Sequence, residues 1–553
     1  MTPGKIQVEV FEARNILPWF GGKVAAGARG CDSASDVTTP TNNNLNTSSA
    51  QVSIHLYTHS HLHKIPLNRS QHQTRAQPLA HPVWNETFTL DVDDKHKTLF
   101  IEALGKGRRL LEHHRLATAY ILLEEIFEKK EYAMETACKD YLNALGSFDY
   151  YNASRLSSKL LKLSPTVGTI LNRLATCEAL YTGLAFLKPK FFRRENFLNI
   201  LYAAIGDDAI KEAQVLFSGG SPTPLESASS AFLSKLCKAL NNLATVRQEQ
   251  INIYRSLSGD PMGIKYEAIL ENVQIVQANL KRMHLEDSLG LLALGLKKEL
   301  NILYNIFKAQ LALSEYSFKG STVNLYNAKN ELCEWKRACS LLEAQDKHSR
   351  SFRNTPQLPN NMGWVSQFSV ELMSKLTLYF QDTLLERERL LGGELKNVWR
   401  RIEPDYFTLI RNFRRRSGAH SISLIYEVDS QKPFNKKGYI CPVRNYEAPT
   451  GLMSFPCIYS YPESPPYEHW PNLISIMQVN EEALADARVK CIHFYDKKVG
   501  STYYLIRVDV QVTLVVIFLD RHGNPENSTV EFMKYIARHL RNIEIFEMMS
   551  KME

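Results

Sequence analysis

The sequence predicts a multidomain chain: an all-β sandwich, then an antiparallel α-helical bundle, then an α/β domain whose sheet is mainly antiparallel. One observation is length, because 553 residues exceed the roughly 250 to 300 that a single hydrophobic core organises. A second is a change of hydrophobic period, from two in the N-terminal part to three and four in the middle. A third is the return of short strand-like runs after Pro404.

These changes of pattern predict the domain boundaries. A polar stretch with two prolines and paired asparagines indicates a linker ahead of a long helix. The predicted parts are a β-sandwich at 1–122 with a disordered insert at about 21–50, a helical bundle at 123–345, a linker at 346–363, a long helix at 364–402 that joins or completes the bundle, and the α/β domain at 403–553.

Local patterns justify each part. Ile6, Val8 and Val10 alternate as a half-buried strand requires, whereas the insert has almost no large apolar residue with which to order itself. In the bundle, apolar residues recur at three- and four-residue spacing, and the run from Leu296 to Leu311 predicts its most buried helix. The sequence therefore favours strands up to about residue 122 and amphipathic helices from there to about residue 345.

The last domain is predicted to contain more strands than helices, with helices on one side of the sheet. The predicted helices span about 405–415 and 527–541, and the predicted strands about 421–427, 453–459, 473–477, 490–495, 503–508 and 512–519.

Composition excludes several classes of protein. The most apolar local run, Leu514 to Leu519, is far shorter than the roughly 18 residues that cross a bilayer, and the first residues lack the pattern of a secretion signal. Nine cysteines without a C-x-x-C pair indicate reduced thiols rather than a disulfide framework or zinc site. A net charge of +8 over this length is mild. We expect a cytoplasmic protein with neither a transmembrane helix nor a bound metal.

The N-terminal 120 residues resemble the C2 domain, a β-sandwich that docks on lipid or partner proteins. The resemblance rests on Glu12 to Ile16 after the first strand, on Pro82-Val83-Trp84-Asn85-Glu86-Thr87-Phe88, and on Ile121-Leu122-Leu123. Calcium-dependent members hold the ion with aspartates in apical loops, because a hard cation requires several convergent carboxylate oxygens. Here the corresponding segment is Gly105-Lys106-Gly107-Arg108-Arg109, so calcium binding is not expected.

Two groups of N-terminal residues have more than one interpretation. Trp19 and Phe20, with Lys106, Arg108 and Arg109, would suit contact with an anionic membrane interface; alternatively the aromatic residues pack internally and the cations are solvated. His59, His61 and His63 share one face of a strand, a pattern compatible with zinc, although a solvated histidine-rich edge is the simpler interpretation.

Catalytic signatures are absent from the sequence. Gly290 to Lys297 imitates a phosphate loop but places its lysine one residue too late and lacks the following Ser or Thr. Arg411 and Arg414 to Arg416 form the densest basic cluster, yet their position near a helix C-terminus explains them without a nucleic-acid partner. The expectation is a protein that is not an enzyme, needs no cofactor and binds no nucleic acid.

Residues 138–547 resemble the KICSTOR subunit two family. The matching blocks include Ser314-Glu315-Tyr316, Pro404-Asp405-Tyr406-Phe407, Tyr446 to Gly451, His469-Trp470-Pro471-Asn472, and His493 to Val499. The resemblance implies a helical bundle followed by a roadblock-like or profilin-like α/β domain. It also implies a non-catalytic subunit that, with kaptin, an FG-GAP-repeat protein and the large seizure-threshold protein, holds the GATOR complex at the lysosome and restrains TOR signalling when amino acids are scarce.

The N-terminal C2-like module departs from that family and opens a second hypothesis, a peripheral membrane adaptor that acts through this domain without calcium. If the matched blocks contact a partner, aromatic and charged residues on loops are the first candidates, namely Tyr446, His469, Trp470, Tyr495, Asp496 and Lys497.

Overall fold

The computed structural model describes residues 4–12, 47–57, 72–73, 77–78, 83–92, 98–107, 113–188, 196–218, 224–259, 263–340, 358–390, 402–441, 443–444, 446–485, 490–522 and 525–552, with side chains from residue 134 onward except at 217–218, 224–230 and 390. The chain divides into two compact units. One comprises residues 1–137 and 214–234, and the other comprises 138–213 and 235–553.

The first unit contains two antiparallel sheets. In one sheet β1 (Gly4–Glu12) pairs with β5 (Val83–Val92), and Val8 lies opposite Phe88. The other sheet has the order β3-β2-β6-β7, with β4 also pairing with β2; its strands are β2 (Thr47–Tyr57), β3 (His72–Gln73), β4 (Gln77–Pro78), β6 (Thr98–Gly107) and β7 (His113–Leu122). The alternation in the sequence therefore predicted strands correctly.

Two N-terminal expectations need correction. Residues 47–50, assigned to the insert, begin β2, where Ala50 lies opposite Gly105 of β6; the preceding insert residues lie outside the described part. Lys106, expected in an apical loop, belongs to β6 and lies opposite His113 of β7. Backbone pairing thus extends both strands further than composition suggested.

Helices begin directly after β7. They are α1 (Leu123–Gly146), α2 (Tyr150–Leu163), α3 (Pro165–Thr182), α4 (Phe197–Ser218), α5 (Pro224–Ser258), α6 (Tyr266–Met283), α7 (Glu286–Leu289), α8 (Leu291–Ser314) and α9 (Phe318–Ala338). Side-chain oxygens of Asp149 and Ser317 accept hydrogen bonds from backbone N–H groups in the first turns of α2 and α9, as capping requires. In α8, Leu296, Leu300 and Leu303 are fully buried, which confirms the predicted apolar face.

Within the described residues, the predicted long helix at 364–402 is interrupted. Helix α10 (Asn360–Tyr379) begins within the expected linker, and α11 (Gln381–Leu390) follows a break at Phe380. No proline or glycine marks this break. The Phe380 ring lies between Tyr316 and Phe318, at centroid distances of 4.6 Å and 5.3 Å, so aromatic packing accompanies the interruption.

The C-terminal elements form a five-stranded antiparallel sheet with the order β10-β11-β12-β8-β9. The strands are β8 (Ser421–Tyr426), β9 (Cys457–Tyr461), β10 (Ile492–Asp496), β11 (Ser501–Asp509) and β12 (Val512–Phe518). The helices are α12 (Tyr406–Ser417), α13 (Trp470–Val479), α14 (Glu481–Ala485), α15 (Asn527–Leu540) and α16 (Ile543–Lys551).

Three expectations about this region are wrong. Its described residues contain five strands and five helices, so strands do not outnumber helices. The segment predicted as a strand at 473–477 belongs to α13, whose Leu473 and Met477 pack against Leu505 and Val515 of the sheet. The sheet is also covered on both faces. Every residue of β11 and β12 is buried, and successive strand residues point to opposite faces. Helices on one side alone could not bury both sets.

The bundle and this sheet lie in the same compact unit. Trp364 of α10 donates its indole N–H to the carbonyl oxygen of Ile545 in α16 at 2.8 Å. Phe546 packs against Trp364 and Phe368, at ring-centroid distances of 6.2 Å and 5.3 Å. The C-terminal helix therefore shares its core with the bundle.

Candidate interaction surface

The β10–β11 hairpin contains three of the residues proposed from sequence. The carboxylate of Asp496 accepts hydrogen bonds from the backbone N–H of Lys498 at 2.8 Å and from Asn472 Nδ2 at 3.0 Å. Gly500, at φ 69°, occupies the left-handed conformation that closes the turn. Asp496 therefore shapes this turn, while the Lys497 side chain is exposed.

Tyr495 lies on the opposite face of β10 from Asp496 and is half-buried. The guanidinium carbon of Arg521 lies 5.6 Å from its ring centroid, within the range of a cation–π contact. This contact positions a cation beside the outer strand of the sheet.

His469 and Trp470 are buried, which corrects the expectation that they form a partner surface. They are 4% and 3% exposed. Nδ1 of His469 lies 2.7 Å from the hydroxyl of Tyr503, and Trp470 donates its indole N–H to the carbonyl oxygen of Phe455 at 2.8 Å. Burial lowers the pKa of His469, so its neutral form is favoured inside the domain. His469 directly precedes α13 and contacts Tyr503 of β11, while Trp470 begins the helix and bonds to Phe455, two residues before β9.

Tyr446 lies in the connection between β8 and β9. Its side chain is half-buried, and its hydroxyl accepts a hydrogen bond from Asn435 Nδ2 at 3.3 Å. The same connection reaches the bundle at Gly438, whose carbonyl oxygen accepts a 2.6 Å hydrogen bond from the Phe318 N–H. A Cβ atom on Gly438 would lie 2.3 Å from Phe380 Cε1, so only glycine allows this approach. Tyr446 is part of an ordered connection rather than of the hairpin surface.

The N-terminal candidates fall mostly outside the described residues. Trp19, Phe20, Arg108 and Arg109 lie there, as do His59, His61 and His63. Arg414, Arg415 and Arg416 form the last turn of α12, where Arg414 Nε donates to the His420 carbonyl oxygen at 3.2 Å. That contact is consistent with a role in ending the helix.

A buried charged cluster in the bundle was not predicted. Arg247 of α5 donates two hydrogen bonds to Glu178 of α3, with Nε–Oε1 at 2.9 Å and Nη2–Oε2 at 2.7 Å. Its Nη1 also donates to Glu299 of α8 at 3.1 Å. All three side chains are almost fully buried. One cation thus faces two carboxylates in the interior.

Neutral donors complete this Arg247 cluster. Glu178 accepts a hydrogen bond from the hydroxyl of Tyr202 at 2.8 Å, and Glu299 accepts one from Tyr254 at 2.8 Å. Further donors to Glu299 are Tyr181 at 3.1 Å, Asn361 at 2.9 Å and Gln250 at 3.3 Å. Burial, followed by the nearby carboxylates, raises the pKa of Tyr181, Tyr202 and Tyr254, so these hydroxyls remain protonated donors. A cluster satisfied in this way positions helices and leaves no group free for chemistry.

The spacing of residues in α5 contained a signal for this cluster. Leu240, Leu243, Arg247, Gln250 and Tyr254 recur at three- and four-residue intervals, so Arg247 lies in the apolar stripe. A charge at such a position indicates a buried partner, but the sequence did not identify it.

A second buried cluster joins the bundle to the sheet. Nζ of Lys375 in α10 lies 2.6 Å from Oδ2 of Asp509, which ends β11, and both residues are buried. Asp509 also accepts hydrogen bonds from Ser314 Oγ at 2.8 Å and from the Tyr379 hydroxyl at 3.3 Å. Lys375 donates further to the Leu540 carbonyl oxygen at 2.8 Å. The Lys375–Asp509 cluster therefore connects α8, α10, the β11–β12 turn and the end of α15.

Among the described residues no group of three or more His, Cys, Asp or Glu side chains is arranged to hold a metal ion. In the same residues, none of the helices has the length and apolar character needed to cross a membrane.

Comparison with known proteins identifies both parts of the chain. The profile of the C2 domain matches residues 4–138. The profile described as "KICSTOR complex C12orf66 like" matches residues 141–551.

Two curated relatives match most of the chain. "KICSTOR subunit 2" of Xenopus laevis is 28% identical over 434 residues, which cover 75% of this chain and 96% of the relative. "KICSTOR subunit 2" of Danio rerio is 28% identical over 428 residues, covering 74% of this chain and 94% of the relative. The resemblance inferred from the sequence blocks is confirmed. The chain belongs to the C12orf66-like family of KICSTOR complex proteins and carries a C2 domain at its N-terminal end.

Proposed function

We propose that this protein is a non-catalytic scaffold subunit of a KICSTOR-like complex. In this role it recruits the GATOR complex to lysosomes and restrains TOR signalling when amino acids are scarce. The observation that carries the proposal is the family match over residues 141–551, which includes both the bundle and the C-terminal sheet. The near-complete coverage of the two KICSTOR subunit 2 relatives supports a shared architecture rather than one shared motif.

The internal organisation of the larger unit agrees with a scaffold role. In its Arg247 and Lys375–Asp509 clusters, the buried carboxylates are satisfied by arginine, lysine and hydroxyl donors. Such networks hold helices and strands in one arrangement, which a protein that assembles others requires. A cytoplasmic location with peripheral attachment to the lysosomal membrane is part of the proposal.

Affinity purification tests the proposal. The tagged full-length protein is recovered from its own cells, fed or starved of amino acids, and the co-purifying proteins are identified by mass spectrometry. We expect kaptin-like, FG-GAP-repeat and seizure-threshold proteins together with GATOR components. Recovery of a soluble, abundant bait without any of them, although the genome encodes them, would contradict the proposal.

The C2 match over residues 4–138 favours a second candidate, a peripheral membrane adaptor that acts through this domain without calcium. Trp19, Phe20, Lys106, Arg108 and Arg109 are the proposed contacts. The test is sedimentation of the full-length protein with vesicles containing phosphatidylserine, with and without a calcium chelator. We expect calcium-independent binding that is lost when Lys106, Arg108 and Arg109 are changed to Glu.

A matched control separates this effect from net charge. Changing three other exposed lysines to Glu should leave vesicle binding unchanged. These control residues are Lys159 and Lys162 on α2 and Lys211 on α4. Equal loss in both variants would show that overall charge, not the C2 domain, determines binding. Binding abolished by the chelator would contradict the calcium-independent mechanism.

A further inference from the structure

The two edge strands of the C-terminal sheet, β9 and β10, differ in how far their side chains are buried. At the β9 edge, Phe407 of α12 lies 5.9 Å from the Tyr459 ring, and Arg414 lies 5.4 Å from the Tyr461 ring. At the β10 edge, Phe494 is 44% exposed, and Val499 in the adjoining turn is 50% exposed. In the part of the chain that the structure describes, β10 pairs only with β11. One side of β10 is therefore an unpartnered strand edge.

Strand β10 is held in place by its pairing with β11 and by side-chain contacts. Ile492 lies opposite Leu505 and packs against the core, and the His493 ring lies 4.9 Å from the Tyr504 ring. Nε2 of His493 also lies 3.1 Å from the His522 carbonyl oxygen. A pre-organised edge offers its backbone N–H and C=O groups at little entropic cost to an incoming strand.

Cations surround the same edge. Lys490 precedes β10, Lys497 and Lys498 follow it, and all three are exposed. Arg521, which follows β12, lies beside the Tyr495 ring of β10. Two acids also lie nearby: Asp496 accepts hydrogen bonds within the turn, and Asp520 lies 3.2 Å from His522. Four basic side chains thus outnumber these two acids. The edge therefore presents apolar side chains between positive charges.

We propose that the outer edge of β10 binds an extended acidic segment of a partner protein, which adds to the sheet as a further antiparallel or parallel strand. Backbone hydrogen bonds would supply affinity, Phe494 and Val499 would contact apolar residues of the segment, and the lysines would select acidic ones. This inference concerns a particular surface and does not depend on the complex proposed above.

Charge argues against a second copy of this chain as the occupant. Antiparallel pairing of two β10 strands about Phe494 would bring Lys490 of each copy near Lys498 of the other. A shift by one residue would bring Lys490 near Lys497 instead. Like charges opposite one another across a strand pair are destabilising, so both registers are disfavoured.

The alternative role for these lysines is protection, since charged side chains on edge strands prevent unwanted strand pairing. The two roles predict opposite behaviour. A protective edge binds no strand until its charges are removed, whereas a docking edge binds acidic strands because of those charges.

The experiment measures fluorescence anisotropy of a labelled peptide of about ten residues that alternates Glu with Val, titrated with the full-length protein. Two control peptides alternate Lys with Val, or carry N-methyl groups on the backbone amides of one edge. We expect saturable binding of the acidic peptide, weakened by salt, and no binding of either control. Amide hydrogen exchange at residues 492–496 should slow when the acidic peptide is bound.

Charge-reversal variants test whether the acidic peptide binds at β10. Changing Lys490, Lys497 and Lys498 to Glu should weaken acidic-peptide binding by about tenfold or more, because three favourable charge pairs become repulsive. The control with Lys159, Lys162 and Lys211 changed to Glu should bind as the unaltered protein does. Failure of the acidic peptide to bind at about 1 mM would overturn the proposal, as would equal weakening in both variants or unchanged exchange at 492–496. If Lys490, Lys497 and Lys498 are changed to Ser, self-association of that variant without peptide binding by the unaltered protein would assign the lysines to protection.

Discussion

The two buried charged clusters differ in balance and in what they connect. The Arg247 cluster lies within the bundle and sets one cation against Glu178 and Glu299, with hydroxyl and amide donors holding the excess negative charge. The Lys375–Asp509 cluster sets one cation against one carboxylate and links the bundle to the sheet. Loss of the arginine would leave two buried carboxylates without a cation, whereas loss of the lysine would leave one, and neutral donors remain at both sites. The comparison teaches that the number of buried carboxylates left without a cation sets the expected loss of stability.

The largest expected effect is from Arg247→Met. The change leaves two buried carboxylates without a cation, so we expect a loss of about 3–5 kcal/mol in the free energy of unfolding. Urea denaturation followed by far-UV circular dichroism measures it.

The matched control is Arg173→Met, which breaks the half-exposed pair with Asp208 at 2.6 Å. This change should cost no more than about 1 kcal/mol, because solvent screens an exposed pair. Similar losses in the two variants would mean that burial of the Arg247 cluster does not matter. If Arg247→Met does not fold, Glu178→Gln and Glu299→Gln provide milder changes with which the same ranking can be measured.

A smaller loss, about 2–4 kcal/mol, is expected from Lys375→Met. Asp509 would remain buried but would still accept hydrogen bonds from Ser314, Tyr379 and the Val510 N–H. Adding Asp509→Asn should recover part of the loss, because the orphaned charge disappears. Urea denaturation of the single and double variants measures both changes, and hydrogen exchange should show the β11–β12 turn opening first. A double variant no more stable than Lys375→Met would contradict the ion-pair account.

The smallest expected effect concerns Glu371, which lies one turn before Lys375 in α10 and is 6% exposed. Burial, reinforced by the nearby Glu544 and opposed by a hydrogen bond with Gln367, raises its pKa to about 7. The folded-state pKa exceeds the unfolded-state value, so this carboxyl favours folding while protonated and loses that contribution as pH rises between about 4.5 and 7.

We therefore expect Glu371→Gln to be more stable than the unaltered protein at pH 8 by about 1–3 kcal/mol and to differ little from it at pH 5. Urea denaturation at the two pH values measures the difference. Tyr406, whose pKa burial and then Glu371 raise, should also be monitored as a nearby group. An equal effect of Glu371→Gln at both pH values would show that ionisation of Glu371 is not responsible.

Errors in the sequence-based assignments have specific physical causes. Leu473-Ile474-Ser475-Ile476-Met477 reads as a buried strand, because a short apolar run does not distinguish a strand from a buried helix. Pro471, in the first turn of α13, was the available signal for a helix start. The break at Phe380 has no local signal, because it coincides with aromatic packing against Tyr316 and Phe318, which are distant in sequence.

The sequence alone determined the alternation of β1 and β5, the helical period around Leu296 to Leu303, the strands β11 and β12, and membership of the family. Each depends on local periodicity or on ordered blocks of residues, which are properties of the chain itself. Only the tertiary structure decided that Arg247 meets Glu178 and Glu299, that His469 and Trp470 are buried, and that β10 is an edge strand with an exposed Phe494. These features depend on contacts between residues far apart in sequence, whose free energy arises only when the elements pack together.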